Sequence, residues 1–246
     1  MRERLAALGS VGVFAARLVA ALAPRRGGLA DLVRQLWVVG ARSVPIVAVG
    51  GLFVGLVMSL QGYRTLSTFG ASNALGTLLG LSLYRELGPV LSAILFCGRA
   101  GSAMAAELGL MRATDQLTAL GLMAIDPVAK AAAPRFAAGV LGVPLLTAVF
   151  CAFAVFGGWI QATWVLGVDP GHYWAALQAS VSFESDYAQC FVKAGVFGFA
   201  CSLIAVHAGY HAEPTIEGTS LATTRSVVQG SLMVLFLDFL LSALFY

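Results

Sequence analysis

The chain has 246 residues, of which 59% are hydrophobic and only 11% charged, and its mean hydropathy is +0.86. A soluble domain carries about a quarter charged residues, so the soluble globular classes are excluded and the chain reads as an all-α integral membrane protein. A net charge of +3 is too small to argue for nucleic acid; what matters is where the basic residues sit.

Residues 1–43 carry Arg2, Arg4, Arg17, Arg25, Arg26, Arg34 and Arg42. Ala21-Leu22-Ala23 resembles a signal-peptide cleavage site, but Arg17 interrupts the apolar core and Pro24 stands where cleavage would fall. Arg17 argues equally against a span. The segment is therefore expected to form one or two amphipathic helices on the cytoplasmic face, with arginines at the lipid headgroups. It is treated as a unit apart from a five-span domain over 44–246.

Val44 to Tyr63 is the first uncharged run of spanning length. Gly51 and Gly55 give it a small-xxx-small face, which fits either packing within the chain or contact with another subunit. Arg64 to Asn73 reads as a polar outer loop. The second span, Ala74 to Cys97, carries Arg85 and Glu86 near its middle, where ionisable groups are costly unless paired or hydrated. Pro89 loosens the helix there and frees a backbone carbonyl. Either a half-helix break at Gly88-Pro89 or a water-lined cavity explains the pattern, and the cavity is the functional reading.

Gly98 to Ala106 is built almost wholly of small residues, which lets helices approach closely. From Glu107 the chain turns polar, with Arg112, Asp115, Gln116 and Asp126. Thr114 suits an N-cap with Asp115 in the first turn. The apolar Leu117, Leu120, Leu122, Met123 and Ile125 follow, and Asp126-Pro127 ends the segment. A short helix on so small a loop has no core of its own and needs a partner surface.

Phe136 to Ile160 is the third span, kinked at Pro144. Gln161 to Tyr187 carries no Lys or Arg, which suits the outer face, and Gly171 to Ser182 is expected as a short interfacial helix. Trp159, Trp164, Tyr173, Trp174 and Tyr187 are expected to form an aromatic belt there. Ala188 to Tyr210 is the fourth span, with Lys193 towards its outer end; His211 to Arg225 is an inner loop; Ser226 to Tyr246 is the fifth span, with Asp238 near its centre. Arg99, Arg112, Lys130 and Arg135 put the 99–135 segment inside, so the N-terminus is cytoplasmic and the C-terminus periplasmic.

Neighbouring residues on a helix point about 100° apart, so Arg85 and Glu86 cannot pair with each other. Glu86 is expected to meet Lys193, and Arg85 to reach Asp238 or a lipid phosphate. Neither Lys130 nor Lys193 follows a glycine, so the chain has no P-loop, and any ATP must be bound by another chain. Cys97, Cys151, Cys190 and Cys201 form no CxxC and read as buried free thiols. His207 and His211 have a spacing that can hold a metal, but no carboxylate motif accompanies them, so no metal site is expected. Ser102 lacks a His-bearing motif and is better explained by helix packing than as a nucleophile.

The segment RELGPVLSAILFCGRAGSAMAAELGLMRATDQLTALGLMAIDP resembles the signature of MlaE-type permeases, membrane subunits of ABC systems that move phospholipids. QGYRTLSTFGAS, PRFAAGVLGVPLL and ATTRSVVQGSL extend the likeness over nearly the whole chain. The resemblance implies a homodimer in the bacterial inner membrane with a central lipid pocket, flanked by ABC ATPases that bind ATP and magnesium. It also implies a STAS-domain subunit and a periplasmic MCE-domain lipid carrier, with maintenance of outer-membrane lipid asymmetry as the task. Carried over residue by residue, it places Met58, Leu66 and Phe69 at the lipid pocket. Arg85, Glu86, Lys193 and Asp238 become intramembrane charges, and Glu107, Arg112, Asp115, Gln116 and Asp126 belong to a coupling helix between the second and third spans. Without the resemblance, an intramembrane lipid-modifying enzyme and a membrane scaffold with structural charges fit as well.

Overall fold

The computed structural model describes residues 2–21 and 28–245. Arg25, Arg26 and the Leu22-Ala23-Pro24 stretch lie outside the described residues, as do the side chains of Arg2 and Arg4.

Two helices precede the first span, α1 (Arg2–Ala21) and α2 (Gly28–Val39). On α1, Phe14 and Leu18 bury themselves in a small core with Leu108, Val128, Phe136 and Val206. A 3-10 turn, Ala41–Ser43, joins α2 directly to α3 (Val44–Thr68). Arg99 clamps this junction, donating from Nη1 to the Val38 carbonyl at 3.0 Å and to Ser43 Oγ at 3.1 Å.

Helix α3 runs past Tyr63, so the expected outer loop shrinks and Arg64 stands on the helix. Thr65, Ser67 and Thr68 bond back to carbonyls of their own helix, which lets a polar end continue beyond the apolar zone. The second span is one long helical run, Ser72–Ala113. It comprises α4 (Leu75–Ser82), a π turn (Leu83–Leu87), α5 (Gly88–Phe96), a second π turn (Cys97–Gly101) and α6 (Ser102–Ala113). There is no break at Gly88-Pro89: the helix runs on through it, with a π turn just before it. The expected inner loop likewise contracts to about residues 114–127, which hold α7 (Gln116–Leu122).

Helix α8 (Ala133–Ile160) is flanked by π turns at both ends and accommodates Pro144 inside it. The interfacial helix appears as α9 (Pro170–Ser180), N-capped by Asp169, which accepts from the His172 amide at 2.8 Å. A π turn (Phe183–Tyr187) leads into α10 (Ala188–Tyr210), and α11 (Ile216–Phe245) follows a short turn. Arg225 therefore lies on α11 and not in an inner loop. Among the described residues, five helices are long and apolar enough to cross a membrane, and the chain is a multi-pass membrane protein.

Glycines set the closest helix contacts. A Cβ on Gly51 would lie 2.5 Å from the Phe150 carbonyl oxygen, and one on Gly55 would overlap the Ala154 carbonyl. Gly157 makes the reciprocal approach to Leu52. The Gly51–Gly55 face is therefore spent on packing α3 against α8 within this chain. Tyr173 departs from the expected aromatic belt: it is buried, donates its hydroxyl to the Val155 carbonyl at 3.1 Å, and burial pushes its titration up. Trp164 and Trp174 remain exposed at that end.

Candidate functional site: a charge cluster inside the spans

The cluster starts from the backbone of the second span. Pro89 has no N–H, so the carbonyl of Arg85, four residues earlier, loses its helical donor. Lys193 on α10 takes that carbonyl, its Nζ donating at 2.8 Å. The same ammonium donates to Ser242 Oγ at 2.8 Å, and lies 3.3 Å from Glu86 Oε2 and 3.4 Å from Asp238 Oδ1. Ser242 in turn donates to Glu86, 3.1 Å from each carboxylate oxygen. Three spans thus converge on one lysine.

Burial differs around it. The Lys193 side chain is 2% exposed, against 21% for Asp238 and 38% for Glu86. The ammonium is buried and fully occupied by acceptors, while Glu86 is the most exposed edge of the cluster. A buried charge is tolerated only with such pairing. The Glu86–Lys193 contact matches the expectation from the sequence.

Arg85 does not meet Asp238. Its Nε lies 2.7 Å from Asp186 Oδ1, and Asp186 also accepts from the Ser182 amide at 2.8 Å. The reason is that the fourth span starts earlier than its apolar run, at Glu184, so Asp186 stands on a helical turn and not in a loop. Beside the pair, the rings of Tyr84 and Tyr187 lie 4.5 Å apart. Of the four charges expected within the spans, Glu86, Lys193 and Asp238 come together directly, and Arg85 joins through its backbone. Asp186 and Ser242 complete the site and were missed from the sequence. A spacing signal existed for both: Asp186 precedes Lys193 by two helical turns, and Ser242 follows Asp238 by one.

Met58 and Leu66 on α3 are half-buried against the main core, whereas Phe69 is 80% exposed beyond the helix end. The proposed coupling residues divide. Glu107 lies on α6 and pairs with Arg135 at 3.1 Å, and Arg112 donates to the Tyr210 carbonyl at 3.1 Å, so both hold helices together. Thr114 is not an N-cap: it ends α6 and bonds back to the Leu110 carbonyl. Asp115 forms the corner between α6 and α7 at φ 56°, a left-handed conformation that Asp tolerates better than most residues. Asp126 accepts from the Val128 amide at 3.0 Å and starts the next helix. Asp115, Gln116 and Asp126 are exposed, and with Leu122 (86% exposed), Met123 and Ile125 they make an apolar tip rimmed by acids.

The remaining candidates have local explanations. Ser102 bonds to the Gly98 and Arg99 carbonyls of its own helix. His207 and His211 stack at 4.4 Å beside Phe14, and among the described residues no group of three or more His, Cys, Asp or Glu is placed to hold a metal. The four cysteines are buried free thiols.

Comparison with known proteins fits this architecture. The model of the family "Permease MlaE" matches residues 32–244. The intermembrane phospholipid transport system permease protein MlaE of Haemophilus influenzae is 49% identical over 215 residues, 87% of this chain and 82% of that protein. A probable ABC transporter permease of Rickettsia felis is 34% identical over 97% of this chain and 92% of its own length. The chloroplastic protein TRIGALACTOSYLDIACYLGLYCEROL 1 of Arabidopsis thaliana is 27% identical over 96% of this chain and 67% of its own. With its five spans and a match that takes in every one of them, the chain belongs to the MlaE permease family.

Proposed function

We infer that the chain is the permease subunit of an ABC-type phospholipid transport system, carrying lipid between the inner membrane and a periplasmic MCE-domain carrier. On this reading it helps maintain outer-membrane lipid asymmetry. The observation that carries the reading is the Lys193 cluster, a polar site with one exposed edge built from three otherwise apolar spans. Such a site suits a substrate with a charged head and apolar tails. The similarity to a relative described as an intermembrane phospholipid transport permease supports the same substrate.

ATP and magnesium belong to a separate ATPase, since this chain lacks a P-loop. The exposed tip around Asp115, Gln116, Leu122 and Asp126 is the surface proposed to receive that ATPase, and a STAS-domain subunit completes the cytoplasmic side. The basic N-terminal segment and the 114–127 tip face the cytoplasm, and the C-terminus the periplasm. A second copy of this chain completes the permease, and Met58, Leu66 and Phe69 line the lipid pocket. The apolar face that α11 leaves uncovered, with Leu232, Leu235 and Phe236, supports a further helical neighbour.

The test is reconstitution with the ATPase and carrier in liposomes holding a fluorescent phospholipid. ATP-dependent transfer is expected, and Glu86→Gln, at the exposed edge, is expected to lower it about tenfold with little loss of stability. Chemical conversion of the lipid without ATP would replace transport with an enzymatic reading.

A further inference from the structure

A groove of about 320 Å³ runs between α2 and the first half of α8. Val33, Leu36 and Trp37 form one wall, and Gly142, Leu145 and Leu146 face them. The volume falls at the lower end of the roughly 300–1,000 Å³ found for ligand pockets. The groove is part of the architecture and not a loose fit. Asp31 on α2 pairs with Lys130 at 2.6 Å, and Arg99 holds the far end of α2 through the Val38 carbonyl. Gly142 keeps the floor open: a Cβ there would already touch Leu36 Cδ1 at 3.9 Å, so a larger side chain would occupy the space.

Two arginines flank the lining residues in sequence. Arg34 follows Val33 on α2, and Arg42 sits in the turn between the lining residues Ala41 and Val44. Both are exposed, and neither has an ion pair among the described residues. Trp37 is exposed beside them, as suits a side chain at the boundary between headgroups and acyl chains. A helix about 10 Å across does not enter so small a groove. A single hydrocarbon chain does, and the arginines complement a phosphate at its head.

We propose that this groove holds one acyl chain of an anionic phospholipid from the surrounding leaflet, with Arg34 and Arg42 at its phosphate. It is a resident lipid site on the flank of the molecule, apart from the Lys193 cluster. The proposal requires only that the chain spans a membrane, so it stands or falls independently of the transport reading.

The experiment uses the full chain in lipid nanodiscs, with photoactivatable phosphatidylglycerol and phosphatidylcholine carrying the reactive group on an acyl chain. Crosslinked peptides are mapped by mass spectrometry. The phosphatidylglycerol probe is expected to label residues 33–44 and 142–149 in preference to phosphatidylcholine. Arg34→Gln and Arg42→Gln, both at exposed positions, should each lower that labelling about fivefold at an unchanged melting temperature, the weight of one basic residue near an anionic surface. Gly142→Leu should remove labelling by both probes from the groove; if it fails to fold, Leu145→Trp at an exposed wall position serves the same purpose. Equal labelling by the two probes that ignores both arginine substitutions overturns the proposal. So does labelling no stronger in the groove than at Leu232 and Phe236 on α11, which indicates bulk lipid only.

Discussion

Lys193→Met removes one ammonium and keeps the length of the side chain. In its place the Arg85 carbonyl loses its donor, and Glu86 and Asp238 are left with like charges around Ser242. Breaking a dry buried pair costs about 3–5 kcal/mol. Here Asp238 is 21% and Glu86 38% exposed, so the pairs are not fully buried and the loss is smaller. We therefore expect about 2–3 kcal/mol, the discount reflecting that partial exposure. At about 2–4 °C per kcal/mol for a chain of this size, the melting temperature should fall by roughly 4–12 °C. Thermal unfolding in detergent, followed by size-exclusion chromatography, measures it. Double-mutant cycles with Glu86→Gln and Asp238→Asn then apportion the loss, and the drier Asp238 should couple more strongly to Lys193. Losses additive to within about 0.5 kcal/mol in both cycles would show that the lysine does not interact with either acid.

The second ion pair makes a separate prediction: Asp186→Asn removes the charge that Arg85 Nε meets in a site where the Asp186 side chain is 2% exposed, and should cost about 1–3 kcal/mol in the same melting assay. Gly55→Leu drives a side chain into the Ala154 carbonyl and forces α3 from α8, so folded, monodisperse protein should be nearly absent after extraction, while Gly121→Ala, at an open position, should extract normally. Leu122→Asp alters an exposed tip residue, so the permease should extract and melt as the parent does while pull-down of the proposed ATPase partner is lost; retained binding would move the docking surface elsewhere.

The composition by itself decided that the chain lives in a membrane, because 11% charged residues cannot keep so apolar a surface in water. Apolar run length located all five spans, and the type of Pro89 decided that a carbonyl would be released in the second. That Glu86 would need Lys193 also followed from the sequence, since a charge at that depth must find its opposite. The span ends did not follow. Hydropathy stops at the first polar residue, whereas helices α3 and α11 continue through Thr65, Thr68 and Thr223, whose hydroxyls return to carbonyls of their own helix. For the same reason Asp186 read as a loop residue, and the partner of Arg85 was misassigned. The role of Gly51 and Gly55 was open between this chain and another until α8 was seen against them. Glu107 and Arg112 read as surface charges because nothing in the local sequence shows that Arg135 and the Tyr210 carbonyl face them. Periodicity and cost per residue are local quantities that one stretch of chain carries alone. Which carbonyl, acid or glycine stands opposite depends on how helices far apart in sequence are rotated against each other, and only their packing sets that.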